Sequence, residues 1–411
     1  MKKDFLPVII GSDENAYGMA RAFHEKYNIR SLILCRSALI PTRYSGIVDI
    51  RIFDGFDDSE TFIAKLIEVA KQQLLCYEKL LLIPCADRYT ELAVSHRERI
   101  SEFFCNPFIT PGLLEKFITK DKFYALCEEH SLPYPKTILC GADERLSVCE
   151  NLPFDYPIIV KADNSNSYDF LHAEFEGKKK VYYVKSKDEF LQIIDRMNRA
   201  NYRGKLIIQE FIPGDDTSMR VMNCYSDRDG RVRLMSLGRP ILEEYAPSTL
   251  GNYAAILSDY DAELYELIKE FLEKIGYVGF SNFDLKYDRR SGKYVLFEIN
   301  PRQGRSSFFT TSAGYNLAEF LTEDAVYNQP HKLVLADVKD KLWLTIPRNL
   351  LLKYVENPEI VSSVRRSFAA NSYSYTLLYK RDLSLLRRIR MWRFYRRQRG
   401  LFKRYFFKKE M

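Results

Sequence analysis

The stretch FSNFDLKYDRRSGKYVLFEINPRQGRSS, residues 280–307, says more about the fold than any other part of the sequence. Two runs in which apolar and polar residues alternate flank the short segment 290–292, which ends in glycine. A loop of about three residues with glycine in its last position is typical of a β-hairpin, because that position favours a positive φ angle. The pattern therefore predicts a hairpin in which Arg289 pairs with Lys293.

That register places Asp284 opposite Glu298, on the face of the hairpin that points away from the core. Two carboxylates about 5 Å apart repel by about 3 kcal/mol at an effective dielectric constant near ~20, more than an ordinary cross-strand pair contributes. Lys286, a shared proton or a divalent cation is therefore expected between them, and the ion is favoured because the side-chain oxygen of Asn300 on the same face suits Mg²⁺. The alternative is an exposed polar face that Lys286 and Arg302 neutralise.

The N-terminal part of the chain alternates short apolar runs, at 7–10, 31–35 and 80–85, with stretches of helical periodicity. This βαβ rhythm predicts an α/β domain, Rossmann-like, whose parallel sheet is covered by helices and binds ligands at the carboxyl ends of its strands. The segment GSDENAYG, which follows the first run, lacks the G-x-G-x-x-G spacing, so it is only a weak indication of a dinucleotide site.

A cluster of Pro and Gly at 106–116 interrupts this rhythm, and we place a domain boundary there. A helix is predicted to begin at Thr119, and the rest of the chain alternates strands with two further predicted helices, near 187–200 and 261–275, which indicates an α+β region with antiparallel sheets. The chain is thus divided into an α/β domain, a small subdomain, a large subdomain with the acidic hairpin, and a C-terminal segment, at 1–112, 113–190, 191–330 and 331–411.

Two lysines stand where an anion could be bound. Lys161 ends an apolar strand, where a lysine is costly to bury unless it meets an anion such as a phosphate. Lys122 lies in the first turn of a predicted helix, although an exposed lysine is the commoner explanation there. A further strand ends in residues that could bind a base edge and ribose hydroxyls, or could simply end a strand: Glu210, Phe211, Ile212, Asp215 and Asp216.

Taken in chain order, these pieces resemble the ATP-grasp superfamily. The most specific element is E-x-N-P-R at Glu298 to Arg302, together with the upstream Asp284. The resemblance implies an ATP-grasp fold that follows a pre-ATP-grasp domain, and a requirement for ATP and Mg²⁺. The glycine-rich phosphate lid of the family is replaced by ADNSNSYDFLHAEFEGKKK at 162–180.

The resemblance also implies roles for individual residues. Lys122 and Lys161 would bind the ATP phosphates, and Glu210 with Ile212 would form the adenine hinge. The residues that would hold Mg²⁺ are Asp284, Glu298 and Asn300. Those that would meet the transferred phosphoryl group are Arg302 and Arg305.

The segments VIIGSDENAYGMARAFHEKY, PTRYSGIVD, SEFFCNPFI and LPYPKT are similar to those of the D-aspartate ligase group of carboxylate–amine ligases. This similarity implies an ATP-dependent ligase that activates a side-chain carboxylate of D-aspartate as an acyl phosphate. The lysine ε-amine of a cell-wall precursor peptide would then attack it, releasing ADP and phosphate. Loop positions at the sheet's ligand edge suggest the substrate-binding residues Ser12, Asp13, Arg43 and Tyr44. The alternatives are another amino-acid or peptide ligase and a non-catalytic nucleotide-binding scaffold.

The net charge of +7 is concentrated at the C-terminal end. Of 62 basic and 55 acidic residues, thirteen and two lie in 380–411, so that segment carries +11 and the rest of the chain carries −4. The mildly acidic body argues against binding of nucleic acid there. No apolar run is long enough to span a membrane, and the N-terminal apolar run is interrupted by Pro7, so we expect a cytoplasmic protein.

Within residues 383–411, four apolar residues occur at helical spacing among arginines: Leu385, Ile389, Trp392 and Tyr395. A basic amphipathic helix of this kind is typical of proteins that bind an anionic membrane surface. We therefore expect a peripheral location at the inner face of the membrane. Binding of RNA or DNA phosphates and docking of the helix on the acidic body are the alternatives.

Overall fold

The computed structural model describes residues 2–163, 168–179, 181–247 and 249–407. The strands are β1 (Lys3–Ile10), β2 (Ser31–Cys35), β3 (Val48–Ile52), β4 (Tyr77–Pro84), β5 (Thr137–Cys140), β6 (Ile158–Ala162), β7 (Val181–Val184), β8 (Leu206–Glu210), β9 (Met219–Ser226), β10 (Val232–Glu243), β11 (Tyr253–Asp259), β12 (Gly279–Asp288), β13 (Lys293–Asn300), β14 (Val334–Leu335), β15 (Leu342–Leu344) and β16 (Tyr373–Tyr375). The helices are α1 (Glu14–Tyr27), α2 (Ser59–Gln73), α3 (Asp87–Ser95), α4 (Arg97–Ser101), α5 (Pro111–Ile118), α6 (Lys120–Glu129), α7 (Arg145–Glu150), α8 (Tyr168–His172), α9 (Lys187–Arg199), α10 (Ala262–Lys274), α11 (Phe308–Ser312), α12 (Leu317–Ala325), α13 (Arg348–Tyr354), α14 (Pro358–Ala369) and α15 (Leu385–Tyr405).

The N-terminal strands form the predicted parallel sheet, in the order β3-β2-β1-β4. Its central strands are almost continuously apolar because both faces are covered, and Ile9 and Val8 belong to separate buried clusters. The side chain of Asp13 caps α1 by accepting a hydrogen bond from the N–H of Ala16 at 3.1 Å. The α/β prediction for this part of the chain is confirmed.

The chain forms two compact units. Unit 1 comprises residues 1–114, 215–285 and 299–411, and unit 2 comprises residues 115–214 and 286–298. In unit 2 the sheet order is β5-β8-β6-β7 with antiparallel pairing, and in unit 1 β9, β10, β11 and β15 are likewise antiparallel neighbours. The expected α+β character is confirmed, whereas the division at 112, 190 and 330 stays a prediction.

The helix predicted to begin at Thr119 is present as α6, and the rest of the chain contains more helices than the two that the sequence pattern indicated there. Helices α9 and α10 lie where they were expected, but α11 to α14 and strand β11 were missed. Several of these are short, and α11 has only five residues, so their periodicity is too brief to stand out. Packing against the sheets stabilises such elements more than their own propensity does.

The loop of the acidic hairpin differs from the prediction. Strand β12 ends at Asp288 and β13 begins at Lys293, so the predicted three-residue loop is wrong and four residues separate the strands. Gly292 has the expected positive φ of 69°, but its N–H donates to the carbonyl of Asp288 at 2.8 Å. The carboxylate of Asp288 also accepts from the backbone and guanidinium of Arg290, which closes the turn one residue earlier. Direct opposition of Asp284 and Glu298 stays a prediction.

Helix α15 packs on unit 1 through one face. The residues buried on that face are Arg387, Met391, Gln398 and Phe402. Their spacing of roughly one turn, or two turns, is that of a single helical stripe. The docking of the tail helix on the body, one of the alternatives considered for this segment, is therefore observed. Within the described ranges, none of the helices is both long enough and apolar enough to cross a bilayer.

Candidate active site

Ser12 and Asp13 follow β1 directly and organise the backbone around it. The Ser12 hydroxyl donates to the carbonyl of Ser37 at 2.6 Å and accepts from the N–H of Leu39 at 3.0 Å. Asp13 is the N-cap of α1, and burial raises the pKa of its carboxyl. Both side chains thus have structural partners at the predicted ligand edge of the sheet.

Arg43 and Tyr44 lie in an exposed loop after β2. The guanidinium of Arg43 donates to the carbonyl of Ala38 at 2.7 Å. Tyr44 has a positive φ of 65°, and its exposed ring lies under the guanidinium of Arg390, 5.1 Å from it. The Tyr44 contact joins the loop to α15, whereas the Arg43 bond lies within the loop.

Arg302 is the arginine of the E-x-N-P-R motif, and several acceptors fix its guanidinium. Its Nε donates to Asp87 at 2.6 Å and its Nη2 donates to the side-chain oxygen of Asn300 at 3.4 Å. Burial alone would lower the pKa of Arg302, but the carboxylates of Asp87, Asp13 and Asp284 raise it above its usual value. A permanently charged, oriented guanidinium is suited to bind a phosphoryl or carboxylate oxygen.

Arg305 lies between two buried carboxylates. Its Nη2 is 3.3 Å from Glu14 and 3.0 Å from Glu244, and each of these glutamates is almost fully buried. Burial raises the pKa of Glu14 to about 7, with Arg305 opposing and Glu244 reinforcing the shift. Sequence reasoning missed both glutamates, because nothing in the local pattern distinguishes them from surface acids.

Two of the three residues expected to hold Mg²⁺ lie in unit 1. The hydroxyl of Tyr253 donates to Oδ1 of Asp284 at 2.7 Å. The amide of Asn300 is held between Arg302 and Asn282, with Nδ2 3.5 Å from the oxygen of Asn282. Tyr253, which orients the carboxylate of Asp284, lies on β11. The sequence pattern did not reveal this strand, so Tyr253 was also missed.

In unit 2 the third of these residues, Glu298, is paired with a lysine. The Nζ of Lys120 is 3.1 Å from Oε2 of Glu298 and 3.3 Å from the carbonyl of Phe297. Lys161 lies in the same cluster, with its Nζ 3.4 Å from the side-chain oxygen of Gln209. Burial, followed by the charge of Lys120, lowers the pKa of Lys161 to about 7, and Glu298 opposes the shift. Two lysines that face each other in this way are poised to meet an anion.

Lys122, by contrast, is exposed. Its Nζ pairs with Glu115 at 2.5 Å. An exposed side chain was the commoner expectation for a lysine in the first turn of a helix, and Lys122 is exposed. The lysine whose charge acts on Lys161, and helps to lower its pKa, is instead Lys120, two residues earlier. The available signal was its place at the start of α6, where a side chain can reach back toward a neighbouring strand.

The predicted adenine hinge follows β8. The Glu210 carboxylate accepts from the N–H of Lys136 at 2.8 Å and is 3.4 Å from Arg290. The ring of Phe211 packs edge-on against Tyr183 with centroids 4.9 Å apart, and Ile212 is buried. The segment predicted to form the hinge therefore packs on an apolar support.

Asp215 and Asp216 are in unit 1, where their carboxylates have protein partners. Asp215 accepts from the N–H and the hydroxyl of Thr217 at 2.9 and 2.6 Å. Asp216 is buried and accepts from the N–H of Glu243 and the hydroxyl of Tyr245, each at 3.0 Å. These bonds stabilise the turn before β9, and the predicted ribose contact stays a prediction.

Comparison of the sequence with those of known proteins shows the family of this chain. The sequence profile of the ATP-grasp domain matches residues 120–306. Over 99% of its length, the chain is 42% identical to D-aspartate ligase of Enterococcus faecium (strain Aus0004), covering 98% of that protein. The chain belongs to the ATP-grasp ligases. It is therefore an ATP-dependent ligase that joins a carboxylate to an amine.

Solved structures share the fold of this ATP-grasp ligase. The ADP complex of N5-carboxyaminoimidazole ribonucleotide synthetase aligns with a TM-score of 0.59 at 16% identity, over 82% of this chain and 80% of that one. The L-amino acid ligase of Bacillus licheniformis aligns with a TM-score of 0.53 at 13% identity, over 79% of this chain and 75% of that one. The ATP-grasp fold predicted from the hairpin motif is confirmed.

ATP-grasp ligases use ATP with Mg²⁺, and the donor chemistry here fits that ion. Mg²⁺ typically takes one or two carboxylates together with phosphate and water oxygens. Asp284, Glu298 and Asn300 offer only oxygen donors of this type. Consistent with so few carboxylates, the described ranges contain no cluster of three or more His, Cys, Asp or Glu side chains able to hold a metal. The predicted lid at 162–180 lies partly outside the described residues.

Proposed function

We propose that this ligase activates the β-carboxylate of D-aspartate and joins it to the lysine ε-amine of a peptidoglycan precursor, with release of ADP and phosphate. The observation that carries the proposal is the 42% identity to a D-aspartate ligase along almost the whole chain. The alignment covers the N-terminal domain as well as the ATP-grasp domain, so the likeness goes beyond the shared fold.

In the proposed nucleotide site, Lys161 and Lys120 bind the phosphates. A phosphate would replace the solvation that Lys161 loses by burial and relieve its repulsion from Lys120. The backbone at Glu210 and Ile212 forms the adenine hinge, with Phe211 on its apolar support. We do not retain Lys122, because it is exposed and paired with Glu115.

The proposed magnesium ligands are Asp284, Glu298 and Asn300. When bound, the ion would neutralise charge on the phosphates during transfer. Tyr253 holds Asp284 in one orientation by its hydrogen bond of 2.7 Å, and Lys120 holds Glu298. Such fixed partners reduce the reorganisation that ligand binding would otherwise require.

The proposed reaction needs no protein nucleophile. The substrate carboxylate attacks the γ-phosphorus and ADP leaves; the amine then attacks the acyl phosphate carbon, loses a proton, and phosphate leaves. Arg302, which Asp87 orients, would bind the developing charge, and Arg305 would assist it from the same loop. Positioning and electrostatic stabilisation are sufficient for phosphoryl transfer of this kind.

ADP release measured with Mg-ATP, a panel of D- and L-amino acids and a lysine-containing precursor peptide tests this function. We expect turnover to require both D-aspartate and the amine, and mass spectrometry to detect the amide product. L-aspartate serves as the matched control for stereochemistry. Turnover with some other amino acid alone would show that the substrate is misassigned while the ligase chemistry stands.

We also place the enzyme peripherally at the inner face of the membrane, where lipid-linked precursors are made. Support comes from the +11 charge of residues 380–411 against −4 for the remainder. Basic residues near an anionic bilayer contribute about 1 kcal/mol each. Co-sedimentation with anionic vesicles tests this location.

A further inference from the structure

The C-terminal helix is fixed to the body, which defines the face that it turns outward. The guanidinium of Arg387 is fully buried, lies 4.3 Å from the ring centroid of Tyr17, and pairs with Asp382 at 3.1 Å. Asp382 also accepts from the hydroxyl of Tyr17 at 2.7 Å. A helix held by such contacts does not move as a free tail.

The outward face combines apolar and cationic side chains. Leu385, Ile389 and Trp392 are 76%, 44% and 60% exposed, and their spacing of four and three residues places them on one stripe. Eight lysine and arginine side chains on α15 are exposed, and none forms an ion pair with a carboxylate within the described residues. Tyr395, expected on the same stripe, has a buried hydroxyl and belongs to the docked side.

A loop of the N-terminal domain continues this face. Leu39, Ile40 and Tyr44 are each about half exposed. The loop is joined to α15 because Arg387 donates to the carbonyl of Arg43 at 3.4 Å and Arg390 covers the ring of Tyr44.

The same loop is rigid. Ser12 accepts from the N–H of Leu39, and its carbonyl accepts from the hydroxyl of Thr42 at 3.1 Å. At its other end, the Asp382 carboxylate accepts from Ser45 at 2.8 Å and from the N–H of Gly46 at 2.5 Å. The exposed apolar side chains are therefore held in place beside the helix.

We infer that the outward face of α15 and the loop 39–44 form one surface that docks on an anionic lipid bilayer. Exposed leucine, isoleucine and tryptophan side chains insert at the headgroup boundary, while the arginines that form no ion pair within the described residues attract acidic lipids. Nucleic acid would use the arginines but not Leu39, Ile40 or Ile389, so the apolar component favours the bilayer. On this inference, which rests on the proposed peripheral location, the loop contacts lipid and Tyr44 does not contact the substrate.

Vesicle co-sedimentation with single aspartate substitutions tests the surface. The full-length protein is mixed with phosphatidylcholine vesicles that contain about a quarter phosphatidylserine, and with phosphatidylcholine alone. The variants are Ile40→Asp on the loop, Ile389→Asp on the helix, and Leu75→Asp as the control. Leu75 is 76% exposed and lies outside the surface, in the turn that follows α2. Thermal unfolding verifies that each variant is folded.

We expect binding to the anionic vesicles only, weakened at least about fivefold by Ile40→Asp and by Ile389→Asp, and unchanged by Leu75→Asp. Trp392 fluorescence should shift to the blue on binding, and Trp392→Phe should remove the shift because Trp343 is buried. If Ile389→Asp weakens vesicle binding and Ile40→Asp does not, the joint surface is overturned but the peripheral location is not. If the unsubstituted protein does not bind vesicles, the joint surface and the peripheral location are both overturned, whether or not it binds an RNA oligonucleotide. Ligase turnover is measured separately, so that this result is distinguished from a failure of the proposed reaction.

Discussion

The hydroxyl of Tyr253 donates a 2.7 Å hydrogen bond to Oδ1 of Asp284. The two residues are far apart in sequence and come from different strands, β11 and β12. Asp284 is a proposed magnesium ligand, so Tyr253 is a positioning residue for that carboxylate. The bond fixes one oxygen and thereby orients the other, which is the usual contribution of a partner behind a metal ligand.

Replacement of Tyr253 by phenylalanine should therefore raise the Mg²⁺ concentration that gives half-maximal turnover by about 10-fold, because such partners typically contribute that much to metal affinity. The measurement is a magnesium titration of ADP release at saturating ATP. Tyr315→Phe is the control, since Tyr315 donates a similar 2.8 Å bond to Asp337, an exposed surface contact. An equal effect of both substitutions would contradict a specific role for Tyr253.

Substitution of Lys161 by methionine should lower turnover at least about 100-fold, since it removes a partly buried charge that is proposed to bind the phosphates. Lys120→Met should have an effect of similar size, because Lys120 lies in the same cluster. Lys122→Met, the matched control, should stay within about twofold, as its partner is the exposed Glu115. Turnover rates measured at saturating substrate compare the three; a Lys122 variant as poor as the Lys161 variant would refute this assignment.

Binding of nucleotide should take up protons at slightly alkaline pH. Lys161 has a pKa of about 7 in the free protein, so at about pH 8 it is mostly neutral, and a bound phosphate raises its pKa. Calorimetry in two buffers of different ionisation enthalpy should detect uptake of up to about one proton per nucleotide, falling toward zero below about pH 6. Lys161→Met should abolish the uptake. Equal heats in both buffers for the unsubstituted protein would contradict the prediction.

The same pKa has a consequence for stability. The folded pKa is lower than the ordinary value of 10.5, so the unfolded chain binds more protons between about pH 7 and that value. The contribution of Lys161 to the free energy of unfolding should therefore increase with pH across this window.

The ion pair between Arg387 and Asp382 should be important for the stability of unit 1. Asp382→Ala should lower the free energy of unfolding by about 3–5 kcal/mol, because it leaves a fully buried guanidinium without its carboxylate. Arg387→Met should cost less, since Asp382 keeps its bonds from Tyr17, Ser45 and Gly46. Urea unfolding followed by circular dichroism gives both values.

Arg388→Met, at the exposed neighbouring position, should change the free energy of unfolding by less than about 0.5 kcal/mol. If Arg387→Met lowers the free energy of unfolding more than Asp382→Ala does, the explanation by an unpaired buried guanidinium is contradicted. These contacts also mean that deletion of the helix would expose core, so point substitutions on its outward face are the better probes of membrane binding.

Much of the N-terminal domain could be predicted because its signals are local. Apolar runs at 7–10, 31–35 and 80–85 became strands of a parallel sheet, since a strand buried on both faces must be apolar along its length. The E-x-N-P-R motif likewise indicated the ATP-grasp fold, because its residues are close together in the chain. Short helices such as α11 carried too few residues for a periodic signal.

The sequence by itself determined the fold class, the family, and the stretch in which the acidic and basic residues of the site occur, because adjacent residues and strand alternation carry that information. Only the tertiary structure decided which lysine faces Lys161, which groups hold Asp284 and Arg302, and which side of α15 turns outward. These depend on contacts between residues far apart in the chain. Burial and electrostatic pairing at such contacts are set by packing, which no local pattern records.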